Sequence, residues 1–205
     1  MHLTRKAAPI NLPIAKKGSK YLVRAASHTY QSVPVLIAVR DMLKLASSLR
    51  EVKHMIHNKL LKINGKLVRD YKESITLFSI FEADKSYILS ILPTEKFTFT
   101  PSSSSTRLTK ITSRTLVSNN KIQLNLHDGT NIIGKENMKV GDSLMLDSGN
   151  KVKSHIPLEK GSSAFIIKGY FAGKIGKIES ISGKQVKIKV EKEESVLPLE
   201  NIFVQ

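Results

Sequence analysis

Seven basic side chains between residues 50 and 69 have the types and the spacing needed to hold phosphate groups. The first four recur at i, i+3, i+4 and i+7 of a predicted helix, and the last three follow in a predicted hairpin: Arg50, Lys53, His54, His57, Lys62, Lys66 and Arg69. Residues at these helical spacings share one face. A solvated helix face is the simpler explanation of a lone charge run, but the net charge of +16 favours contact with a nucleic-acid backbone.

Catalytic and metal-binding patterns are weak in this chain. His54 and His57 have a spacing that metal ligands also use, but the sequence contains no Cys, and no acid completes a metal set. The acids Glu136, Asp142 and Asp147 are scattered rather than paired, and no nucleophile elbow of the form Gly-x-Ser-x-Gly is present. We therefore expect neither an enzyme nor a metal or cofactor site.

Local signals define the helix and the hairpin that position these basic residues. Ser48 to Glu51 is a capping box, in which the Ser hydroxyl accepts from the third backbone N–H and Glu51 reaches back to the cap. The apolar residues that follow at spacings of three and four are expected to face a core, and they are Leu49, Val52, Ile56 and Leu60. Asn64-Gly65, between two alternating segments, predicts a tight hairpin.

Composition indicates a globular protein with a polyanionic partner. Of the 205 residues, 40% are apolar and 24% are charged, and 33 Lys and Arg stand against 17 Asp and Glu. Nucleic acid is the common partner of such a chain, and an anionic membrane surface is the alternative. The longest apolar run, 33–39, contains Pro34 and is far shorter than the roughly 20 residues that span a bilayer. The absence of cysteine agrees with an intracellular location.

The first half of the chain divides into a basic extension and an α+β module. Residues 1–32 contain no acid, and their cations are Arg5, Lys6, Lys16, Lys17, Lys20 and Arg24. This extension has too little apolar periodicity to fold alone, so it either orders against RNA or stays a floppy tail, with a short anchoring strand at 21–23. Residues 33–93 are predicted to form the module. Its first helix would have Pro34 at the first helical position and would end near Ala46.

The second half of the chain is predicted to be β throughout, in segments 94–161 and 162–205. The first of them has several short strands, which suggests a small barrel or sandwich, separated by turn signals at Asn119-Asn120, Asp128-Gly129 and Ser148-Gly149-Asn150. The predicted fold class is therefore α+β with several domains. Each segment is of a size at which an isolated core is marginal, so we expect docking on one another or on RNA to add stability.

Motifs spread over the whole chain together resemble one family. An RNA-binding domain named after the bacterial small-subunit ribosomal protein S-four is resembled by Arg40-Asp41-Met42-Leu43, Ser48-x-x-Glu51-Val52 and Ile63-Asn64-Gly65. The segment from Gly169 to Ile178 resembles a KOW motif. Together with these two motifs, four further segments of the chain resemble the small-subunit ribosomal protein S-four-E family of archaea and eukaryotes. They are His2 to Pro9, Gln123 to Asn131, His155-Ile156-Pro157 and Ile202-Phe203-Val204.

This resemblance implies both a fold and a role. The fold would be an S-four-type domain at 33–93, a central β domain at 94–161 and an SH3-like KOW barrel at 162–205. The protein would be a structural constituent of the small ribosomal subunit in the cytoplasm. Its partners would be ribosomal RNA and neighbouring small-subunit proteins, without cofactor, membrane or self-association.

The resemblance also assigns roles within the KOW segment. The motif's glycines would let a tight loop approach phosphate. Lys168, Lys174 and Lys177 would place the loop on RNA or on a neighbouring protein. Tyr170-Phe171 would either stack on a base or pack the barrel.

One departure from the family concerns the end of the basic helix. The family usually has Gly where Lys59 stands, which closes the helix at positive φ. Either Asn58 supplies the left-handed residue one position early, or the exit differs.

Two other functions stay open at this point. S-four-type domains often steer catalytic domains to RNA, so an RNA-modifying enzyme is one alternative, although no segment large enough for a catalytic domain is left. KOW domains also occur in elongation factors, so a free regulator of transcription or translation is the other. Tight stoichiometric association with small subunits would separate the structural role from both.

Overall fold

The computed structural model describes residues 3–117, 121–134, 137–191 and 193–205. His2, the turn expected at Asn119-Asn120 and the acid Glu136 lie outside the described residues. Of the described residues 44% are in strands and 12% in helices, so the α+β fold is mostly β. The chain divides into two compact units, Met1–Ser105 and Thr106–Gln205.

The first unit combines short helices with antiparallel sheets. Its strands and helices in chain order are β1 (Leu3–Thr4), β2 (Tyr21–Leu22), β3 (Ser32–Pro34), α1 (Val35–Ile37), α2 (Leu49–His57), β4 (Lys62–Ile63), β5 (Lys66–Leu67), β6 (Ser74–Thr76), β7 (Ile80–Glu82), β8 (Ser86–Ile91) and β9 (Phe97–Pro101). A 3-10 turn at Arg5–Ala7 and a π-helical turn at Ala38–Met42 complete it. The main sheet has the order β5-β4-β7-β8-β9, and β1-β2 and β3-β6 form separate pairs.

The first helix is shorter than predicted. Pro34 ends β3 and precedes α1 in an extended conformation, with ψ 142°, instead of occupying the first helical position. The helix passes into the π-helical turn, and the expected end near Ala46 is wrong because Lys44 has φ +57°, which a helix does not allow. The five residues 35–39 are all buried, so this segment is a core element without a solvent face.

Strand β9 belongs to the first unit, although its residues fall within the predicted central segment 94–161. Phe97 and Phe99 pair with Ile91 and Leu89 of β8, and the Phe99 ring lies 5.9 Å from that of Phe81. Between the two strands the chain makes only a turn, in which the Leu92 N–H donates to the carbonyl of residue 96 at 2.8 Å. A proline at residue 93 therefore marks a tight turn here.

The second unit is built from two five-stranded antiparallel sheets. The first sheet has the order β12-β11-β10-β13-β14, from β10 (Thr106–Val117), β11 (Lys121–Leu126), β12 (Asn131–Gly134), β13 (Ser143–Asp147) and β14 (Val152–Ile156). The second has the order β18-β17-β16-β15-β19, from β15 (Ser163–Ile166), β16 (Ile175–Ser182), β17 (Gln185–Val190), β18 (Glu193–Pro198) and β19 (Ile202–Val204). A 3-10 turn at Leu199–Asn201 leads into β19.

Each sheet of the second unit encloses its own apolar core. Alternating residues such as Leu124, Leu144 and Leu146 are fully buried in the first, and Ile178 and Ile188 are buried in the second. The two cores are separate clusters, so each sheet of the second unit packs around apolar residues of its own.

Gly176 lies where β16 and β17 pack closely against each other. A Cβ at Gly176 would lie 2.4 Å from Cγ2 of Ile188 and 2.8 Å from the carbonyl O of Lys189. Close packing between β16 and β17 therefore requires glycine at this position.

A buried lysine joins the two sheets of the second unit. Lys110 Nζ on β10 donates to the backbone carbonyls of Leu199 and Ile202 in the segment that leads into β19. The Val204 N–H donates to Ser143 Oγ at 3.1 Å. Burial lowers the pKa of Lys110 to about 8, against a smaller opposing effect of the Glu200 charge. The two sheets thus share polar bonds at their contact.

A buried ion pair closes the end of the first sheet. Arg107 Nη2 lies 3.1 Å from Asp128 Oδ2, and both side chains are only 2% exposed. The guanidinium also donates to Asn150 Oδ1 at 2.7 Å, and Asp128 accepts from the Thr130 N–H at 2.9 Å. Asp128 therefore fixes a turn and also balances a buried charge on a strand 21 residues away.

Candidate nucleic-acid interface

The start of α2 is fixed by hydrogen bonds close to the predicted capping box. The Glu51 N–H donates to Ser48 Oγ at 3.3 Å, as expected. The Glu51 carboxylate, however, reaches one residue further back and accepts from the Ser47 N–H at 2.7 Å and from both Ser hydroxyls at 2.9 Å. These bonds, with that from the Ser47 N–H as the largest, lower the pKa of Glu51 below its ordinary value of 4.5.

The end of α2 corrects the expectation about Asn58. Asn58 has φ −76° and is not left-handed; Lys59 itself adopts φ +58°. The Lys59 N–H donates to the Ile56 carbonyl at 2.9 Å, and the Leu60 N–H donates to the Met55 carbonyl at 3.1 Å. This is a Schellman motif with lysine in the position that glycine usually takes.

The two faces of α2 differ as predicted, with one exception. Val52 is fully buried, and Leu49 and Ile56 are half-buried. The prediction that Leu60 faces the core is wrong, because the helix ends at His57 and the Leu60 side chain is 54% exposed. All four basic residues of the other face are exposed.

The predicted hairpin forms next to α2. Asn64 and Gly65 have φ +51° and +78°, so the turn has positive φ at both central positions, as a type I′ turn requires. The Asn64 side chain accepts from the Ile80 N–H at 2.9 Å and donates to Ser79 Oγ at 3.3 Å, which ties the turn to β7. The hairpin is thereby held at a fixed place in the sheet.

A groove of about 1120 Å³ lies between the end of α2, the hairpin and the segment that follows it. Its cationic or potentially cationic lining comes from three elements: Lys53, His57, Lys59, Lys66 and Arg69. Four of these belong to the set predicted from sequence. Lys59 was missed as a site residue, because its position after the helix marked it only as a departure from the family.

The two carboxylates of the groove are occupied by backbone amides. Glu73 Oε1 accepts from the N–H groups of Arg69 and Asp70 at 2.7 and 3.1 Å. Asp70 Oδ1 accepts from the Lys72 N–H at 3.1 Å. Neither acid forms an ion pair with a basic side chain within the part of the chain that the structure describes. The cations of the groove are therefore left for an external anion.

Tyr71 adds an aromatic surface to this groove that sequence reasoning missed. Lys53 Nζ and Lys72 Nζ each lie 5.4 Å from the centre of the Tyr71 ring. Such cation–π contacts hold both ammonium groups near the groove. The available signal was a tyrosine followed by a lysine, but Tyr71 lies 18 residues after Lys53 in the chain.

Three members of the predicted set lie outside the groove lining. Arg50 and His54 are exposed on α2 further from the hairpin, and the His54 ring contacts the Asn58 amide at 3.3 Å. Lys62 pairs loosely with Glu82 across the sheet, at 3.8 Å. Among the described residues no group of three or more His, Asp or Glu side chains is arranged to hold a metal ion.

The basic extension is folded against the rest of the first unit. Leu3 pairs with Leu22, the Leu12 side chain is buried, and the Phe97 N–H donates to the Asn11 carbonyl at 2.9 Å. The predicted anchoring strand is present as β2, with β1 as its partner. In the folded chain, the extension therefore contacts β9.

Arg5 holds the extension together from within. Its Nε donates to the Ser19 carbonyl at 2.8 Å, and its guanidinium also donates to Ser19 Oγ and the Ala15 carbonyl. A Cβ at Gly18 would lie 2.8 Å from Arg5 Nη2, so the loop closes directly on the guanidinium. A second cavity, of about 710 Å³, gathers Arg5, Lys6, Lys16, Lys20 and also Lys96. Lys17 and Arg24 do not line it.

In the second unit, the loop between β15 and β16 and the start of β16 carry the remaining predicted residues. Lys168 and Lys177 are exposed, and Lys174 pairs with Glu191 at 3.5 Å. The expectation for Tyr170-Phe171 divides between the two residues. Phe171 is 8% exposed and belongs to the apolar core, whereas Tyr170 is 88% exposed.

Similarity to known proteins decides which family this chain represents. A family model described as "Ribosomal family S4e" matches residues 83–152. Small ribosomal subunit protein eS4 of Archaeoglobus fulgidus is 37% identical over 189 residues, covering 88% of this chain and 80% of the relative. That of Methanocella arvoryzae is 33% identical over 188 residues, with the same coverage. The chain belongs to the S4e family.

The structural comparison agrees with this membership. The crystal structure of the 30S ribosomal protein S4e from Thermoplasma acidophilum superposes with a TM-score of 0.74 at 28% identity, covering 85% of this chain and 94% of that one. The S4e family consists of structural ribosomal proteins of the archaeal and eukaryotic type, so the prediction that the chain is not an enzyme is confirmed by its relatives. No helix among the described residues is long and apolar enough to cross a membrane.

Proposed function

We propose that this S4e family member is a structural constituent of the small ribosomal subunit in the cytoplasm and binds ribosomal RNA there. The observation that carries this proposal is the groove beside α2. Five basic side chains from α2, its exit, the hairpin and the segment after the hairpin line it, while its two acids accept hydrogen bonds from backbone amides. Such an arrangement holds the phosphates of folded RNA through charge and shape rather than through base edges.

The finer assignments belong to the same proposal. The residues around α2 and the hairpin would act as an S-four-type RNA-binding domain. The sheet β12-β11-β10-β13-β14 would be the central β domain, and the sheet β18-β17-β16-β15-β19 would be an SH3-like KOW barrel. The basic extension would add RNA contacts through Lys6, Lys16, Lys17, Lys20 and Arg24. Arg5 would act mainly inside the extension, because its donors are already used there.

A charge-reversal pair tests the groove. Lys53→Glu with Arg69→Glu places two acids in the groove, and Lys85→Glu with Lys151→Glu makes the same change of net charge at exposed turns elsewhere. We expect the groove pair to weaken binding to small-subunit ribosomal RNA more than tenfold, and the control pair to weaken it much less. Equal losses for the two pairs would remove the groove from the interface.

The salt dependence of binding tests the mechanism. Each phosphate that the protein neutralises contributes a slope of roughly −0.7 to −0.9 to a plot of log affinity against log salt. The groove pair should therefore have a shallower slope than the control pair. A flat dependence for the unmodified protein would contradict a phosphate-based interface.

Sedimentation separates a ribosomal constituent from a free regulator. A lysate is run on a salt-controlled density gradient, and the protein is quantified in every fraction. We expect about one copy for each small subunit, retained at moderate salt. Recovery at the top of the gradient, away from subunits, would favour the regulator instead.

A further inference from the structure

Tyr170 is the most exposed large apolar or aromatic side chain among the described residues. It is 88% exposed, compared with 56% for Ile175 on the same sheet. Its ring meets the Phe171 ring edge to face, at a centroid distance of 4.9 Å and an angle of 87°. Because Tyr170 contacts Phe171 on one side only and stays 88% exposed, at least one full face of the Tyr170 ring is open to solvent.

The loop that carries Tyr170 is rigidly closed. The Gly173 N–H donates to the Ile166 carbonyl at 2.8 Å, and the Ile166 N–H donates to the Lys174 carbonyl at 3.0 Å. A further bond from the Ala172 N–H to the Gly169 carbonyl at 2.9 Å crosses the loop. Gly169 and Gly173 have φ +101° and +75°, so the turn requires residues that tolerate positive φ.

Phe171 anchors the loop from below. Its side chain packs in the apolar core of the sheet, with 8% exposure. Because the backbone is hydrogen-bonded and the neighbouring ring is buried, the loop presents Tyr170 outward, and little backbone freedom remains to be lost on binding.

Cations stand at both ends of this loop. Lys168 is exposed and forms no ion pair with any residue that the structure describes. Lys174 faces Glu191 at 3.5 Å, and the lysine side chain is 42% exposed and the glutamate side chain 77%, so this ion pair is weak and can be replaced by one with another anion. An aromatic face between two lysines matches a nucleotide, which presents a planar base next to phosphates.

We propose that Tyr170 is a stacking platform for an unpaired base of RNA, with Lys168 and Lys174 holding the adjacent phosphates. This proposal rests on the proposed function, because it requires an RNA-binding protein. It adds that the barrel recognises a single-stranded or bulged nucleotide, whereas the groove beside α2 holds the backbone of folded RNA. A pocket on a neighbouring protein is the competing occupant, but it would have to cover two lysine ammonium groups as well as the ring.

The sequence contains no Trp, which allows a direct test. Tyr170→Trp places a single indole at the loop, and Val196→Trp places one at a 58% exposed position of the same sheet as a control. The probe is protein-free small-subunit ribosomal RNA, and the signal is the tryptophan fluorescence lifetime. We expect RNA to quench the loop indole of Tyr170→Trp at least threefold more than the control indole of Val196→Trp. A fully paired RNA duplex of equal mass should quench neither variant strongly.

Affinity measurements with the same RNA complete the test. Tyr170→Phe should bind as the unmodified protein does, and Tyr170→Ser should lose about 5- to 150-fold, the range known for one stacked base. Failure of the unmodified protein to bind RNA would refute the proposed function. RNA binding that persists in Tyr170→Ser, with the loop indole quenched no more than the control indole, would refute only the stacking platform. Quenching of the loop indole by small-subunit proteins in place of RNA would also refute it.

Discussion

Replacing Lys59 by glycine should stabilise the first unit while weakening its binding to RNA. Lys59 ends α2 at φ +58°, inside a Schellman motif whose two hydrogen bonds require the left-handed conformation. The same side chain lines the groove. One residue therefore carries a backbone strain and a useful charge, and the two effects have opposite consequences when it is changed.

The size of the stabilisation follows from the backbone. The left-handed conformation costs an L-residue such as lysine about 1–2 kcal/mol, and glycine avoids this cost. Glycine in turn loses more conformational entropy on folding, which destabilises the folded state by about 0.5–1 kcal/mol. A net gain of about 0.5–1 kcal/mol is left. With an unfolding entropy of about 2.1 cal/mol/K per residue over residues 1–105, the midpoint should rise by about 2–5 °C.

Two further variants separate strain from charge. Lys59→Ala removes the charge and keeps the strain, and Lys59→Asn removes the charge and tolerates positive φ better than alanine does. Calorimetry of the full chain should give midpoints in the order Gly, Asn, Ala. All three should bind ribosomal RNA more weakly at low salt, by the same factor. Equal midpoints for glycine and alanine would refute the argument from backbone strain.

Three other perturbations test contacts in both units. Because its hydrogen bonds lower the pKa of Glu51, the carboxylate adds stability above pH 4.5, and this stability is lost as the pH falls through the lowered pKa. Glu51→Gln should therefore make the helical circular-dichroism signal less dependent on pH in the acid range. An unchanged pH dependence would contradict this prediction. Lys110 has a pKa of about 8 in the folded chain and 10.5 in the unfolded chain, so the unfolded chain binds more protons between these pH values and the free energy of unfolding rises with pH there. In urea unfolding, the unmodified protein should therefore gain up to about 3 kcal/mol of stability relative to Lys110→Met between pH 7 and 10.5. A stability difference that does not change with pH would contradict this prediction. Asp128→Ala leaves a buried guanidinium unbalanced and should cost about 3–5 kcal/mol in the same assay, while adding Arg107→Met should recover much of that loss; a double variant no better than the single one would exclude the charge as the cause.

Local chemistry accounts for the parts of the interface that could be predicted. The Ser48 cap and the Asn64-Gly65 turn each depend on residues within four positions of one another, and both are present. The exit of α2 could not be predicted in this way. Lysine rarely adopts φ +58°, and the two hydrogen bonds that stabilise this conformation form only once the last turn of α2 is in place.

Contacts between distant strands account for the rest. Lys110 donates to the carbonyls of Leu199 and Ile202, which lie 89 and 92 positions later in the chain. No sequence pattern near β10 indicates that this lysine is buried. Arg5 counted as one more cation of a basic extension, but its donors are used by Ser19 and Ala15. The charge of a side chain alone does not distinguish a cation that is available to bind phosphate from one that stabilises a loop through hydrogen bonds. The direction of each side chain decides that, and it depends on the pairing of strands.

The position of β19 has a consequence for the order in which the chain matures during synthesis. The first unit has all its strands once residue 101 has been made, so it can fold while translation continues. In the second unit, β15 needs β19 as its neighbour, and Lys110 needs the carbonyls of Leu199 and Ile202. A nascent chain of this protein must therefore carry β15 and Lys110 without these partners until the segment from Leu199 to Val204 emerges. The groove beside α2, which we propose as an RNA-binding site, is complete long before that moment. On that proposal, the first unit would engage RNA while the second is still being translated.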